Sequence, residues 1–241
     1  MLLRELSLEL PTLVMFDLDG TLVDSVPDLA AAVDTMLQAL GRPAAGEALV
    51  RDWVGNGAAV LVQRALAQAT DAEAAGAEIA DEPEALALFL NAYEAHTARH
   101  SCLYPGVLEC LQGLQQLGIT MAVVTNKPER FVAPLLDALG IGTYIDLIVG
   151  GDTLAQKKPH PQPLLHCLAQ FQTPAAQALM VGDSKHDIHA ARSAQVAVAA
   201  VSYGYNHGEP VADAKPDVVI DNLMALLAPR HDLAARQLAG I

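Results

Sequence analysis

Basic residues are scarce in this chain: 14 lysines and arginines stand against 28 aspartates and glutamates, a formal charge of −14. Such a surface repels the phosphates of DNA and RNA, and no lysine- and arginine-rich run offers a binding stripe, so nucleic acid is not an expected partner. Any anionic ligand would need a site made locally positive by a metal, a lysine and backbone amides. Long hydrophobic runs are also missing. Apolar residues make up 52% of the chain, but many are alanine, and none of the runs approaches the ~18 residues of a membrane span. Cysteine is limited to Cys102, Cys110 and Cys167. They form no C-x-x-C pair and leave one over from any disulfide, which suits a reducing compartment and small packed hydrophobes. Residues Met1 to Leu10 hold Glu5 and Glu9 among their leucines, without the basic start, apolar middle or cleavage site of a secretory signal. The expected location is the cytoplasm.

With 241 residues, the chain is long enough to bury roughly 70 to 75% of its unfolded surface without a disulfide or structural metal. Its most informative stretch is Val14-Met15-Phe16-Asp17-Leu18-Asp19-Gly20-Thr21. An apolar run ending in two acids reads as a buried strand that delivers two carboxylates to its C-terminal tip, with Gly20 permitting a sharp turn. Such a tip can hold a cation and a phosphate together.

From Val26 to about residue 95 the pattern is helical, with stretches over Asp28 to Leu40, Ala44 to Trp53, Ala58 to Ala69 and Glu84 to His100. The acidic residues 71 to 82 fit an exposed connection. The expectation is a small helical domain, residues 26–95, inserted after the first strand. Strand and helix patterns then alternate: helix Val107 to Leu117, strand Ile119 to Thr125, helix Glu129 to Leu139, strand Ile145 to Val149, helix Gln162 to Ala169, strand Ala178 to Val181, helix Ile188 to Ala194, strand Val196 to Val201 and strand Val218 to Ile220. This alternation argues for an α/β, Rossmann-like parallel sheet covered by helices on both faces, built from residues 1–25 and 96–241. There is no internal repeat.

Polar residues collect at three strand ends: Asp17 to Thr21, Thr125-Asn126-Lys127, and Gly182-Asp183-Ser184-Lys185-His186-Asp187. In an open α/β sheet that edge is where ligands bind. A helix cap explains one acid but not the pair Asp17 and Asp19, whose closeness calls for a cation or a shared proton. A calcium loop is excluded, because counting from Asp17 its glycine and glutamate positions hold Leu22 and Asp28. Lys158 lies in a proline-stiffened loop, Lys157-Lys158-Pro159-His160-Pro161. The pairs His186/His189 and His96/His100 lack the H-E-x-x-H glutamate and a third ligand, and read as surface or capping residues.

The set D-L-D-G-T, T-N, K-P and G-D-S-x-x-D, in this order on alternating strands, resembles the haloacid dehalogenase superfamily, specifically its phosphatases with an inserted helical cap. The resemblance covers essentially the whole chain. Within the superfamily, Asp24-Ser25-Val26-Pro27-Asp28, Trp53-Val54-Gly55-Asn56-Gly57, Tyr104-Pro105-Gly106-Val107, Lys158-Pro159-His160-Pro161 and Tyr203-Gly204-Tyr205-Asn206 are similar to the bacterial phosphoglycolate phosphatases.

The resemblance implies an Mg²⁺-dependent phosphomonoester hydrolase that passes through an aspartyl-phosphate and acts on a small phosphorylated metabolite, 2-phosphoglycolate in the first instance. Asp17 would be the nucleophile, already ionised at an ordinary carboxylate pKa near 4, and Asp19 the acid/base. Metal ligands would come from Asp17, the Asp19 carbonyl and Asp183. Thr125, Asn126 and Lys158 would bind phosphate, and Asp187 would orient Lys158 or a metal-bound water. Gly55, Asn56 and Gly57 would contact the rest of the substrate. Competing readings are a capped phosphatase for a sugar phosphate, nucleotide or pyrophosphate, a phosphoglucomutase-like transferase, and a receiver-type switch that keeps its phospho-aspartate. Whether the chain is a monomer or a homodimer is left open.

Overall fold

A computed structural model of the chain describes residues 10–68 and 82–227. Its centre is a six-stranded sheet of β1 (Leu13–Phe16), β4 (Thr120–Val124), β5 (Leu147–Val149), β6 (Ala178–Gly182), β7 (Ala197–Val201) and β8 (Val218–Ile220). The strand order is β5-β4-β1-β6-β7-β8, and every neighbouring pair is parallel. The uninterrupted apolar runs of β1 and β6 follow from burial on both faces. Along β1 successive side chains go to opposite layers, as the two-residue period of a strand requires. Val14 and Phe16 join Val107, Leu111 and Leu135 on one face, while Leu13 and Met15 join Leu164, Cys167 and Ile188 on the other.

The covering helices are α5 (Val107–Gln116), α6 (Val132–Ala138), α7 (Gln162–Gln170) and α8 (Lys185–Ser193), and four earlier ones, α1 (Val26–Ala39), α2 (Glu47–Trp53), α3 (Ala58–Ala67) and α4 (Glu82–His96), gather around a core of their own. That core contains Trp53, Leu61, Phe89 and Tyr93, and it accepts Phe131 and Tyr205 from the sheet side. The chain passes between the two packing groups at a two-stranded antiparallel ribbon, β2 (Val23–Asp24) with β3 (Cys102–Leu103). The sequence pattern gave no hint of this ribbon, since two residues are too few to show a period.

Several boundaries differ from the expected ones. The helix expected at Glu129 begins as a 3-10 turn, Glu129–Phe131, and becomes α-helical at Val132. Pro134 has no N–H to return to the Arg130 carbonyl, so the regular α-helix begins late enough that Pro134 falls in its first turn, where no such bond is needed. Helix α8 starts at Lys185, ahead of the expected Ile188, because Ser184 and Asp187 form a capping box that satisfies its first turn. Cys110 and Cys167 are buried as expected, but Cys102 on β3 is exposed. The acidic connection read over residues 71–82 falls, but for Glu82, outside the described residues. Among those described, no helix is long and apolar enough to cross a membrane.

Candidate active site

Strand β1 ends by donating Asp17 N–H to the Val181 carbonyl at 2.9 Å, which fixes the first acid at the carboxyl edge of the sheet. Beyond it the backbone folds back, with Leu22 and Val23 N–H donating to the Leu18 carbonyl. Gly20 sits at φ +90°, and a Cβ there would run into the Asp183 carboxylate and the Tyr205 ring. Glycine is therefore required at this position by both conformation and space. The Thr21 hydroxyl donates to Asp183 at 3.1 Å, tying the β1 turn to the end of β6.

Asp17, Asp183 and Asp187 are all buried, and each offers an oxygen within 4.8 Å of the others. Lys158 lies between two of them, its ammonium 2.9 Å from Asp17 and 2.6 Å from Asp187. Burial pushes the Asp17 carboxyl up to about 7, with Lys158 opposing and Asp187 reinforcing the shift. Asp17 therefore does not keep the ordinary carboxylate value near 4 expected from the motif, because desolvation outweighs the lysine. Asp183 is raised well above the usual carboxylate range by burial and by the charges of Asp17 and Asp187. Burial works against the Lys158 ammonium, but its two carboxylate partners prevail and hold it protonated. Three buried acids that share one cation lack positive charge, and their hard oxygen donors suit a divalent cation. Asp187 also accepts from Ser184 N–H and Oγ through its other oxygen, so its placement is fixed from both sides.

Asp19 is not part of that cluster. Its carboxylate accepts from the Ser25 hydroxyl and from Lys127, whose Nζ stands 3.0 and 3.2 Å from the two oxygens. Lys127 is buried, and its ammonium lies 4.5 Å from the Tyr93 ring centroid. The sequence places Lys127 at a strand end without a role; its signal is a lysine three residues past the apolar run of β4. Beside it, Thr125 Oγ1 accepts from Lys127 N–H. Asn126 uses its side-chain amide to hold two backbone carbonyls, those of Gly55 and Lys158, each at 3.1 Å.

The loop joining α2 to α3 rests on these core residues. Gly57 adopts φ +88°, and a Cβ on it would come within 2.8 Å of the Asn126 carbonyl oxygen. Gly55 and Gly57 line a cavity of about 40 Å³ that reaches Asp17 and Asp19. Asn56, expected to face substrate, is occupied otherwise. Its Oδ1 accepts from Arg64, its carbonyl accepts from Lys157, and its amide donates to His186 Nε2 at 2.7 Å. His186 is thus no plain surface residue: it is half-buried, and burial pulls its pKa down to about 4, which keeps the ring neutral and able to accept. His189 and His100 are exposed, as expected. Arg64 is buried and also donates to the Trp53 carbonyl. An arginine on the apolar stripe of α3, three residues after Leu61, was the available signal for it.

The Haloacid dehalogenase-like hydrolase family model matches residues 14–201 of the chain. A phosphoglycolate phosphatase of Pseudomonas savastanoi pv. phaseolicola is 55% identical over 227 residues, covering 94% of this chain and 82% of that protein. Phosphoglycolate phosphatase 1 of Pseudomonas aeruginosa is 54% identical with the same coverage. Among solved structures, a "predicted phosphoglycolate phosphatase" from Haemophilus somnus 129PT superposes with a TM-score of 0.83 at 41% identity, covering 90% of this chain and 96% of that one.

Proposed function

The chain belongs to the haloacid dehalogenase-like hydrolases, and on that premise we propose that it hydrolyses 2-phosphoglycolate to glycolate and phosphate with the help of Mg²⁺. The observation that carries this reading is the position of Asp17. It is the one acid of the buried cluster that also lines the cavity between the sheet edge and the helical unit. The substrate's name is supported by the relatives at 54 and 55% identity.

In this proposal Asp17 attacks phosphorus, the bond to the ester oxygen breaks, and a phosphoryl group is carried on Asp17 until water releases it. Asp19, outside the acidic cluster but on the same cavity, gives a proton to the departing glycolate oxygen and later takes one from the attacking water. Thr125 and Lys158 hold phosphate oxygens, and the N–H groups around Leu18, Asp19 and Asn126 complete the cradle. Asp187 keeps Lys158 aimed at Asp17. The metal would be held by Asp17, Asp183 and the Asp19 carbonyl; Mg²⁺ suits these oxygen donors and supplies charge that offsets repulsion between Asp17 and the phosphate.

Residues 26–95 act as a cap over this site, and the bonds from Asn126 and Lys157 to the Gly55–Gly57 loop favour a closed arrangement that excludes water. The acidic chain acts on a small phosphorylated metabolite and not on nucleic acid, and three free cysteines fit a cytoplasmic setting. The test is phosphate release from a panel of phosphoglycolate, sugar phosphates, nucleotides and pyrophosphate, each with Mg²⁺ and with chelator. Preference for phosphoglycolate that vanishes with chelator is the expected result; preference for any other ester overturns the substrate assignment.

A further inference from the structure

We propose that Lys127 is the specificity-determining residue of this site, the group that receives the carboxylate at the non-phosphate end of the substrate. The inference rests on the phosphatase reading above and deepens it. The cavity has two unlike sides. Asp17, Asp19 and Thr125 form one, and Leu29, Val54, Leu61, Phe89 and Phe131 form an apolar wall opposite. Among the described residues that line it, Lys127 alone carries a positive charge. Lys158 is engaged by Asp17 and Asp187, and the buried Arg64 by Asn56 and the Trp53 carbonyl.

A substrate that is anionic at both ends needs a positive partner for each, because a carboxylate buried against aliphatic and aromatic side chains without one is strongly disfavoured. Position follows from chemistry. Asp19 is the group that serves the ester oxygen, and in a two-carbon acid the carboxylate is separated from that oxygen by a single methylene. The cation within reach of it is therefore the one bonded to Asp19, and that is Lys127 at 3.0 Å. An ammonium has three N–H donors, and the two Asp19 oxygens occupy at most two of them. The Tyr93 ring, with the ammonium 4.5 Å from its centroid, fixes the lysine's aim from the helical side.

The test compares 2-phosphoglycolate with ethyl phosphate, in which a methyl group replaces the carboxylate, on the wild-type enzyme, Lys127→Met and Lys127→Arg. The expected result is that Lys127→Met lowers kcat/KM for phosphoglycolate by about ten- to a hundredfold more than for ethyl phosphate, the span expected for a lost charged hydrogen bond. Most of that excess falls in KM, and Lys127→Arg recovers part of it. Binding measured without turnover should agree. Wild type should bind 3-phosphonopropionate more tightly than propylphosphonate, and Lys127→Met should lose that difference. Equal losses on both esters, with the binding difference intact, would overturn the inference and make Lys127 only a positioning residue for Asp19. A wild-type enzyme without preference for phosphoglycolate over ethyl phosphate would overturn the substrate reading as well, which separates the two failures.

Discussion

The Lys158 ammonium stands 2.9 Å from Asp17 and 2.6 Å from Asp187, so a single buried cation is shared by acids from two different strand ends. Removing it leaves Asp17, Asp183 and Asp187 facing one another without compensation. Lys158→Met should destabilise the chelator-treated protein by about 3–5 kcal/mol, the usual consequence of breaking a buried pair from one side. It should also reduce turnover below detection. Chemical denaturation and a phosphate-release assay check the two effects separately, and a variant of wild-type stability would contradict the shared-cation account.

The same cluster sets a pH dependence. The Asp17 carboxyl is raised to about 7 and Asp183 is raised with it, both chiefly by burial. In the window from about pH 4 to 7 these two carboxyls keep protons in the folded chain that they have lost in the unfolded one, so their contribution to stability falls as pH rises, by at most about 1.4 kcal/mol per unit for each group, while His186, its pKa pulled down to about 4, contributes the opposite slope up to about pH 6.5. Thermal unfolding in chelator should show this decline, and Asp17→Asn should flatten it. Mg²⁺ should raise the melting temperature more at pH about 8 than at pH about 5, because a cation binds the ionised form. An Asp17→Asn variant with the same pH slope as wild type in chelator would contradict the Asp17 shift.

Asp28 does a structural job. It is fully buried and accepts from the N–H groups of His100 and Ser101 and from the Ser101 hydroxyl, linking the first turn of α1 to the segment entering β3. Asp28→Ala orphans these donors and should destabilise the protein by about 2–4 kcal/mol. Mg²⁺ affinity should be unaffected, as titration of the folded variant at low temperature would show.

Gly57 marks where the helical unit touches the core. At φ +88° and 2.8 Å from the Asn126 carbonyl, an alanine Cβ meets both backbone strain and a clash. Gly57→Ala should disturb the seating of the loop by about 1–3 kcal/mol and raise KM for phosphoglycolate, with little change in overall melting temperature. Steady-state kinetics and thermal unfolding together decide it.

The fold was largely legible because its signals are local. The apolar runs of β1, β4 and β6 and their following acids report burial and edge position without knowledge of the rest. Asp17 and Asp183 stand out for the same reason, whereas Lys158 lies in a proline-stiffened loop and is singled out by the family resemblance. Lys127 was visible as a strand-end residue, but its ion pair with Asp19 joins positions 108 residues apart, and nothing in the intervening pattern encodes that contact. Asn56 illustrates the converse. A polar residue between two glycines suggests an open loop facing substrate, whereas Arg64 on the next helix and His186 in the first turn of α8 claim its side chain. The raised pKa of Asp17 is not legible in the motif, because desolvation is a property of the packed site.

Asp17 as the nucleophile is the centre of the account, and Asp17→Asn tests it most directly. The variant should remain folded, by circular dichroism and cooperative unfolding, while Mg²⁺-dependent phosphate release from 2-phosphoglycolate is abolished. Substantial residual turnover by a folded Asp17→Asn protein would remove Asp17 from that role.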